Sequence, residues 1–158
     1  PLIAPHGVNK EGGGAMYRKA GNLSHSIRQM LGKDEKFRKI LRGLNTTFYH
    51  KTVTTAQVEN FISRESGKDL SKIFDQYLRT IKVPVLEYKT QSKYIQYRWT
   101  NCVQGFNMPL KISLDSTDKS EKWIYPVDGS WKKFKQPRKY NQQTFKINRN
   151  FYVSSKKV

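Results

Sequence analysis

The chain has 158 residues, the length of one ordinary domain or two small ones. Its 30 basic and 12 acidic side chains give a formal charge of +18, yet 36% of residues are hydrophobic and 13% aromatic, too much apolar material for a disordered basic tail. No apolar run nears the roughly 18 residues that span a bilayer as a helix, and a single cysteine, Cys102, excludes an internal disulfide framework and a four-cysteine zinc site.

The segment Pro1 to Gly14 reads as a loop. It lacks a basic start followed by an apolar run, so no signal peptide is expected, and a first residue of proline implies a processed product or a piece of a longer protein. Gly12, Gly13 and Gly14 are not followed by Gly-Lys-Ser/Thr, so they read as a flexible connection and not as a P-loop.

From about Ala15 to Arg79 the apolar residues recur at steps of three and four. Met16, Ala20, Leu23, Ile27 and Met30 or Leu31 form one stripe, and Phe37, Ile40, Leu41, Leu44 and Phe48 a second. Val58, Phe61 and Ile62 begin a third, and Leu70, Ile73, Phe74, Tyr77 and Leu78 form a fourth. Each is the buried face of a helix. Gly32 should end the first helix and Asp34 cap the second. Thr54 and Gln57 have the spacing of a capping box before the third, Gly67 suits a left-handed stop, and Asp69 or Ser66 can open the fourth.

Beyond Pro84 the period falls to two. Strands are expected over Val85–Lys89, Tyr94–Trp99, Leu110–Leu114, Lys122–Val127, Trp131–Lys135, Thr144–Asn148 and Phe151–Ser154, with Asp128-Gly129 as a tight hairpin turn. The expected fold is α+β in two subdomains: a four-helix unit over residues 1–83 and a small antiparallel β-sandwich over 84–158. The boundary falls near Lys82–Pro84, because a residue before proline leaves helical geometry.

The charge excess is spread over both halves, with 15 basic against 7 acidic side chains in 1–83 and 15 against 5 in 84–158. The densest run is Lys132, Lys133, Lys135, Arg138 and Lys139, beside Trp131, Phe134 and Tyr140. A solvated basic face is the expected reading. Nucleic acid is not the expected partner, since no RNP, KH or zinc-finger pattern accompanies the charge. An acidic peptide or an anionic envelope surface would also suit it.

Self-contained catalysis finds little support. The histidines are His6, His25 and His50; none is followed by Glu and no two are four apart, so there is no H-E-x-x-H zinc motif and no metal ligand is assigned. His25 lies between Ser24 and Ser26, but neighbours on a helix point apart. Cys102 reads as a small core residue.

One stretch carries more. Tyr17-Arg18-Lys19-Ala20-Gly21-Asn22-Leu23, followed by His25 and Ile27-Arg28-Gln29, resembles the Tyr-x-Lys-Gly helix of the zinc aminopeptidases related to aminopeptidase N and leukotriene hydrolase, the gluzincins. The likeness continues in order through Lys33–Phe37, Leu41–Leu44, Thr52–Thr55 with Val58–Phe61, Ser66–Leu70, Phe74–Leu78 and Val83–Glu87, over about residues 9–88. Ala20 stands where the motif has glycine, with Gly21 one place on.

The resemblance implies the helical end of a thermolysin-like catalytic domain followed by a small β-sandwich. It implies that the zinc ligands and the glutamate base lie N-terminal to this segment, so that zinc belongs to the parent enzyme and none is bound by this piece. It carries one catalytic residue across: Tyr17, whose phenol would donate a hydrogen bond to the oxyanion formed at the scissile carbonyl of a peptide substrate. Lys19 matches the motif lysine and would support the helix by ion pairing. Asp75 and Gln76 match a recurrent spot and read as structural. The family leans toward a secreted or periplasmic location over a cytoplasmic one. The expected function is therefore the C-terminal fragment of a zinc-dependent aminopeptidase, inactive alone. The rivals are a basic module that binds nucleic acid or an acidic surface, and a degenerate, non-catalytic peptidase relative.

Overall fold

A computed structural model describes residues 15–91, 93–114, 121–135 and 145–158. The expected loop before Ala15, with His6 and its glycines, lies outside these residues, as do Arg138, Lys139, Tyr140 and the start of the Thr144–Asn148 strand.

Four helices come first: α1 (Ala15–Leu31), α2 (Asp34–Phe48), α3 (Thr55–Ser66) and α4 (Ser71–Arg79). Gly32 ends α1 at φ 68°, a left-handed conformation that glycine adopts without a Cβ clash. Thr54 and Gln57 form a reciprocal capping box at α3: the Thr54 hydroxyl accepts from the Gln57 N–H at 3.3 Å, and the Gln57 side chain accepts from the Thr54 N–H at 2.8 Å. Gly67 closes α3, also at φ 68°.

Two caps differ from expectation. Asp34 is the first residue inside α2, and Lys33 holds the cap position without a side-chain bond. The reason is competition. Arg28 at the end of α1 clasps the Asp34 carboxylate through Nε at 2.8 Å and Nη2 at 2.5 Å, and this bond holds the carboxyl below its usual range. At α4 the cap residue is Leu70, while Asp69 accepts from the Ser71 N–H at 2.9 Å. Ser66 is buried, and its hydroxyl donates back to the Ser63 carbonyl.

The strands follow: β1 (Val85–Thr90), β2 (Tyr94–Thr100), β3 (Leu110–Ser113), β4 (Glu121–Ile124), β5 (Lys132–Lys135), β6 (Lys146–Ile147) and β7 (Ser154–Lys157). They form a four-stranded sheet, β5-β2-β1-β7, and a three-stranded sheet, β4-β3-β6. The fold is thus α+β with two small, mostly antiparallel sheets.

Three expectations are corrected here. The sheets are not wholly antiparallel, because β7 runs parallel to β1, with Val85 opposite Ser154. The last strand is not Phe151–Ser154. Phe151 is buried as a core residue ahead of the strand, and the polar run Ser154–Lys157 makes the main-chain ladder instead. Asp128-Gly129 is not a hairpin turn. Asp128 bridges Trp99, and the chain passes there from the three-stranded to the four-stranded sheet.

One core joins the two halves. Leu23, Ile27 and Met30 of α1 and Leu70, Ile73, Phe74 and Tyr77 around α4 belong to the same buried cluster as Leu86, Ile95, Trp99, Leu110, Ile112 and Ile124 from both sheets. Trp99 donates from Nε1 to the Met108 carbonyl at 3.0 Å, and Tyr77 donates from its hydroxyl to the Tyr152 carbonyl at 2.8 Å. These bonds satisfy the polar ends of large buried rings, which would otherwise be costly to bury. Helices α2 and α3 reach this cluster through the half-buried Phe37 and Ile62, and they meet each other at the buried Ile40 and Phe61, with an edge-to-face contact of Phe48 with Phe61. Gly43 lets them approach, since a Cβ there would lie 2.9 Å from the Phe61 ring.

Candidate functional site

Tyr17 stands in the first turn of α1 with 74% of its surface exposed. The stripe of α1 explains this. Leu23, Ile27 and Met30 turn to the core, and position 17 precedes the part of the helix that the core covers. Met16 beside it is also exposed.

Lys19 behaves differently. It is half-buried, and its Nζ donates to the Thr80 carbonyl at 2.5 Å. Burial lowers its pKa from the ordinary lysine value. Among the described residues its hydrogen-bond partner is therefore a carbonyl and not a carboxylate. An orphan carbonyl beyond the end of a helix is a good acceptor for an ammonium group. Gly21 meets nothing within 4 Å of where a Cβ would stand, so no close backbone approach within the described residues requires the glycine.

Thr80 sits in a small polar network. Its hydroxyl donates to the Gln76 carbonyl at 2.7 Å and accepts from Gln76 Nε2 at 3.2 Å. Gln76 Nε2 also donates to the Lys82 carbonyl at 2.8 Å, and its Oε1 accepts from the Val103 N–H at 2.7 Å. The side chain is wholly buried. A continuous chain of hydrogen bonds thus runs from Lys19 on α1, through Thr80 and Gln76, to the backbone beyond β2. Asp75 pairs with Arg79 and Lys72 on its own helix. Ile81, next to Thr80, is 80% exposed. The bond from Lys19 to Thr80 brings the start of α1 to the end of α4, so the exposed Met16, Tyr17 and Ile81 belong to the same end of the helical layer.

The other candidates are separate from this end. His25 Nε2 lies 2.9 Å from Asn150 Oδ1 and fastens α1 to the turn before β7. His50 packs edge-on against the Tyr49 ring. Cys102 is half-buried against the core. Burial first, and then the charge and hydrogen bond of Asp128, push its thiol up to about 12, which makes it a poor nucleophile. Among the described residues no group of three or more His, Cys, Asp or Glu side chains could hold a metal ion. No helix of the described residues is long and apolar enough to cross a membrane.

Sequence reasoning singled out Tyr17 and Lys19. It missed Thr80 and Ile81, which no residue pattern marks; only the packing of α1 against α4 reveals them.

Comparison with known proteins gives a likeness of fold. No protein-family model matches the chain, and no curated protein does. Among solved structures, the aminopeptidase A of Legionella pneumophila, determined in complex with aspartic acid, superposes with a TM-score of 0.66. The match covers 90% of this chain at 21% identity. This chain spans 18% of that protein's length.

Proposed function

We propose that this chain is the C-terminal part of a zinc-dependent aminopeptidase of the gluzincin kind, its helices closing a thermolysin-like catalytic domain and its sheets forming the appended sandwich. The observation that carries the reading is the placement of Tyr17. The one residue matched to a catalytic tyrosine is exposed at a helix start, in a fold whose likeness to an aminopeptidase covers 90% of the chain.

The described residues do not fit a zinc site; on this reading the metal ligands belong, as the resemblance implies, to polypeptide N-terminal to this segment. What this chain contributes is a donor. A tyrosine hydroxyl is neutral at physiological pH and carries one O–H. Aimed at a peptide carbonyl, it stabilises the negative charge that develops on the oxygen during hydrolysis and not the neutral ground state. Lys19, held by Thr80, fixes the first turns of α1 against the end of α4 and so sets where Tyr17 stands.

The test is activity of the chain alone and within the longer enzyme. The 158-residue chain should not hydrolyse an aminoacyl anilide, whereas the longer protein should, and Tyr17→Phe should lower its kcat by about 10²–10³. Zinc-dependent hydrolysis by the 158-residue chain would overturn the proposal.

A further inference from the structure

The outer face of the four-stranded sheet carries a feature unconnected with Tyr17. Alternation turns Leu86, Ile95, Tyr97 and Trp99 toward the core and leaves the positions between them facing outward. Strand pairing sets those outward positions in rows. Lys89 lies opposite Gln96, which lies opposite Lys133; Glu87 lies between Arg98 and Lys156; Lys135 lies opposite Tyr94. Glu87 is the one carboxylate in these rows, and Arg98 occupies it through Nε at 2.9 Å and Nη2 at 2.8 Å. Among the described residues the four lysines of the face have no carboxylate within ion-pair distance.

The rings on this face are already engaged by cations. Lys89 Nζ lies 4.6 Å and Arg98 Cζ 4.5 Å from the Trp131 ring centroid, and Lys133 Nζ lies 5.3 Å from that of Tyr94. Stacking of bases on aromatic faces, which carries single-strand nucleic-acid binding, would have to displace them. The guanidinium fork of Arg98, suited to gripping a single phosphate in two places, is taken by Glu87. Among the described residues the face then offers four lysines without a carboxylate partner, point charges on flexible stems on β1, β5 and β7, of which Lys89 and Lys133 lie over rings and Lys135 and Lys156 do not. With strands about 4.8 Å apart the face is roughly 15 Å across, wider than a single anionic group.

We propose that this face docks on an anionic lipid surface. A charged leaflet presents a continuous layer of negative charge, which suits cations spread over an area with no groove between them. Tyr94 and Trp131 stand among the lysines as aromatic rings do at the headgroup level of a membrane. The overall charge of +18 adds a long-range attraction in the same sense.

The experiment is co-sedimentation of the 158-residue chain with vesicles of phosphatidylcholine alone and of phosphatidylcholine mixed with phosphatidylserine. The chain should bind only the mixed vesicles and be released by salt. The pair Lys133→Gln and Lys135→Gln should bind about thirtyfold more weakly. The pair Lys39→Gln and Arg42→Gln, exposed on α2 and removing the same charge, should stay within about threefold of the parent chain. All four positions are exposed, and a circular-dichroism melt shows that each variant is folded. Equal weakening by the two pairs, no binding to the mixed vesicles, or tighter binding to a DNA duplex than to vesicles at the same salt would each overturn the proposal.

Discussion

Gln76 on α4 accepts a hydrogen bond of 2.7 Å from the backbone N–H of Val103, a residue beyond β2. With its amide nitrogen on the Lys82 carbonyl, this buried side chain ties the last helix to the connection before β1 and to the sheets in a single step. Replacing Gln76 by Ala would leave buried donors and acceptors without partners and open a cavity. The expected loss is about 3 kcal/mol, read as a fall in the urea midpoint. A loss below about 1 kcal/mol would mean that the two halves are held by the apolar core alone.

Gly43 and Phe61 are matched in size. Gly43→Ala removes a helix-breaking residue, a gain of up to about 1 kcal/mol. It also drives a methyl group to 2.9 Å from a buried ring, and overpacking costs about 1–3 kcal/mol. The clash should win, with a net loss of about 1 kcal/mol in thermal or urea unfolding. A stabilised variant would show that α2 and α3 can separate without cost.

The capping box at α3 isolates a local contribution. Thr54→Ala deletes the hydroxyl that accepts from Gln57 and should cost about 1 kcal/mol, whereas Thr54→Ser should be near neutral. Equal losses for the two variants would point to the Thr54 methyl group and not to the cap.

Cys102 gives a dependence on pH. Folding raises its pKa, so the folded state holds the proton more tightly than the unfolded state. The associated stability is full below the pKa of an unfolded cysteine, about 8.5. It is lost as pH rises toward about 12. Tyr77, whose phenol is pushed up by burial, acts in the same direction. Unfolding free energy should therefore fall with pH on the alkaline side, and less steeply in Cys102→Ala. Alkylation of the thiol by iodoacetamide at about pH 8 should be slower in the folded chain than in urea by up to about 10³. Equal rates would contradict the burial and the bond to Asp128.

The helices were legible because their signal is repeated. Leu23, Ile27 and Met30 recur at helical spacing, and the Thr54–Gln57 box and Gly67 mark ends by local chemistry. The last strand was not, because β7 carries no apolar alternation. It is an exposed edge held by bonds such as Val158 N–H to the Tyr88 carbonyl, while the apolar Phe151 ahead of it imitates a strand by serving the core. Asp34 looked like a cap until Arg28, from the helix before, claimed it. At the candidate site Tyr17 and Lys19 could be named from a motif, but the Thr80 carbonyl that receives Lys19 is a backbone atom and leaves no trace in residue types. The basic run after Trp131 was visible; the facing Lys89 and Arg98 needed strand register to appear.

The central claim is that the Tyr17 hydroxyl acts on the reacting carbonyl. The measurement that tests it most directly is steady-state kinetics of Tyr17→Phe in the longer enzyme proposed to contain this chain, with an aminoacyl anilide as substrate. The account predicts kcat lower by about 10²–10³ with KM little changed, since the lost bond is made in the transition state. An unchanged kcat in a folded variant would contradict it.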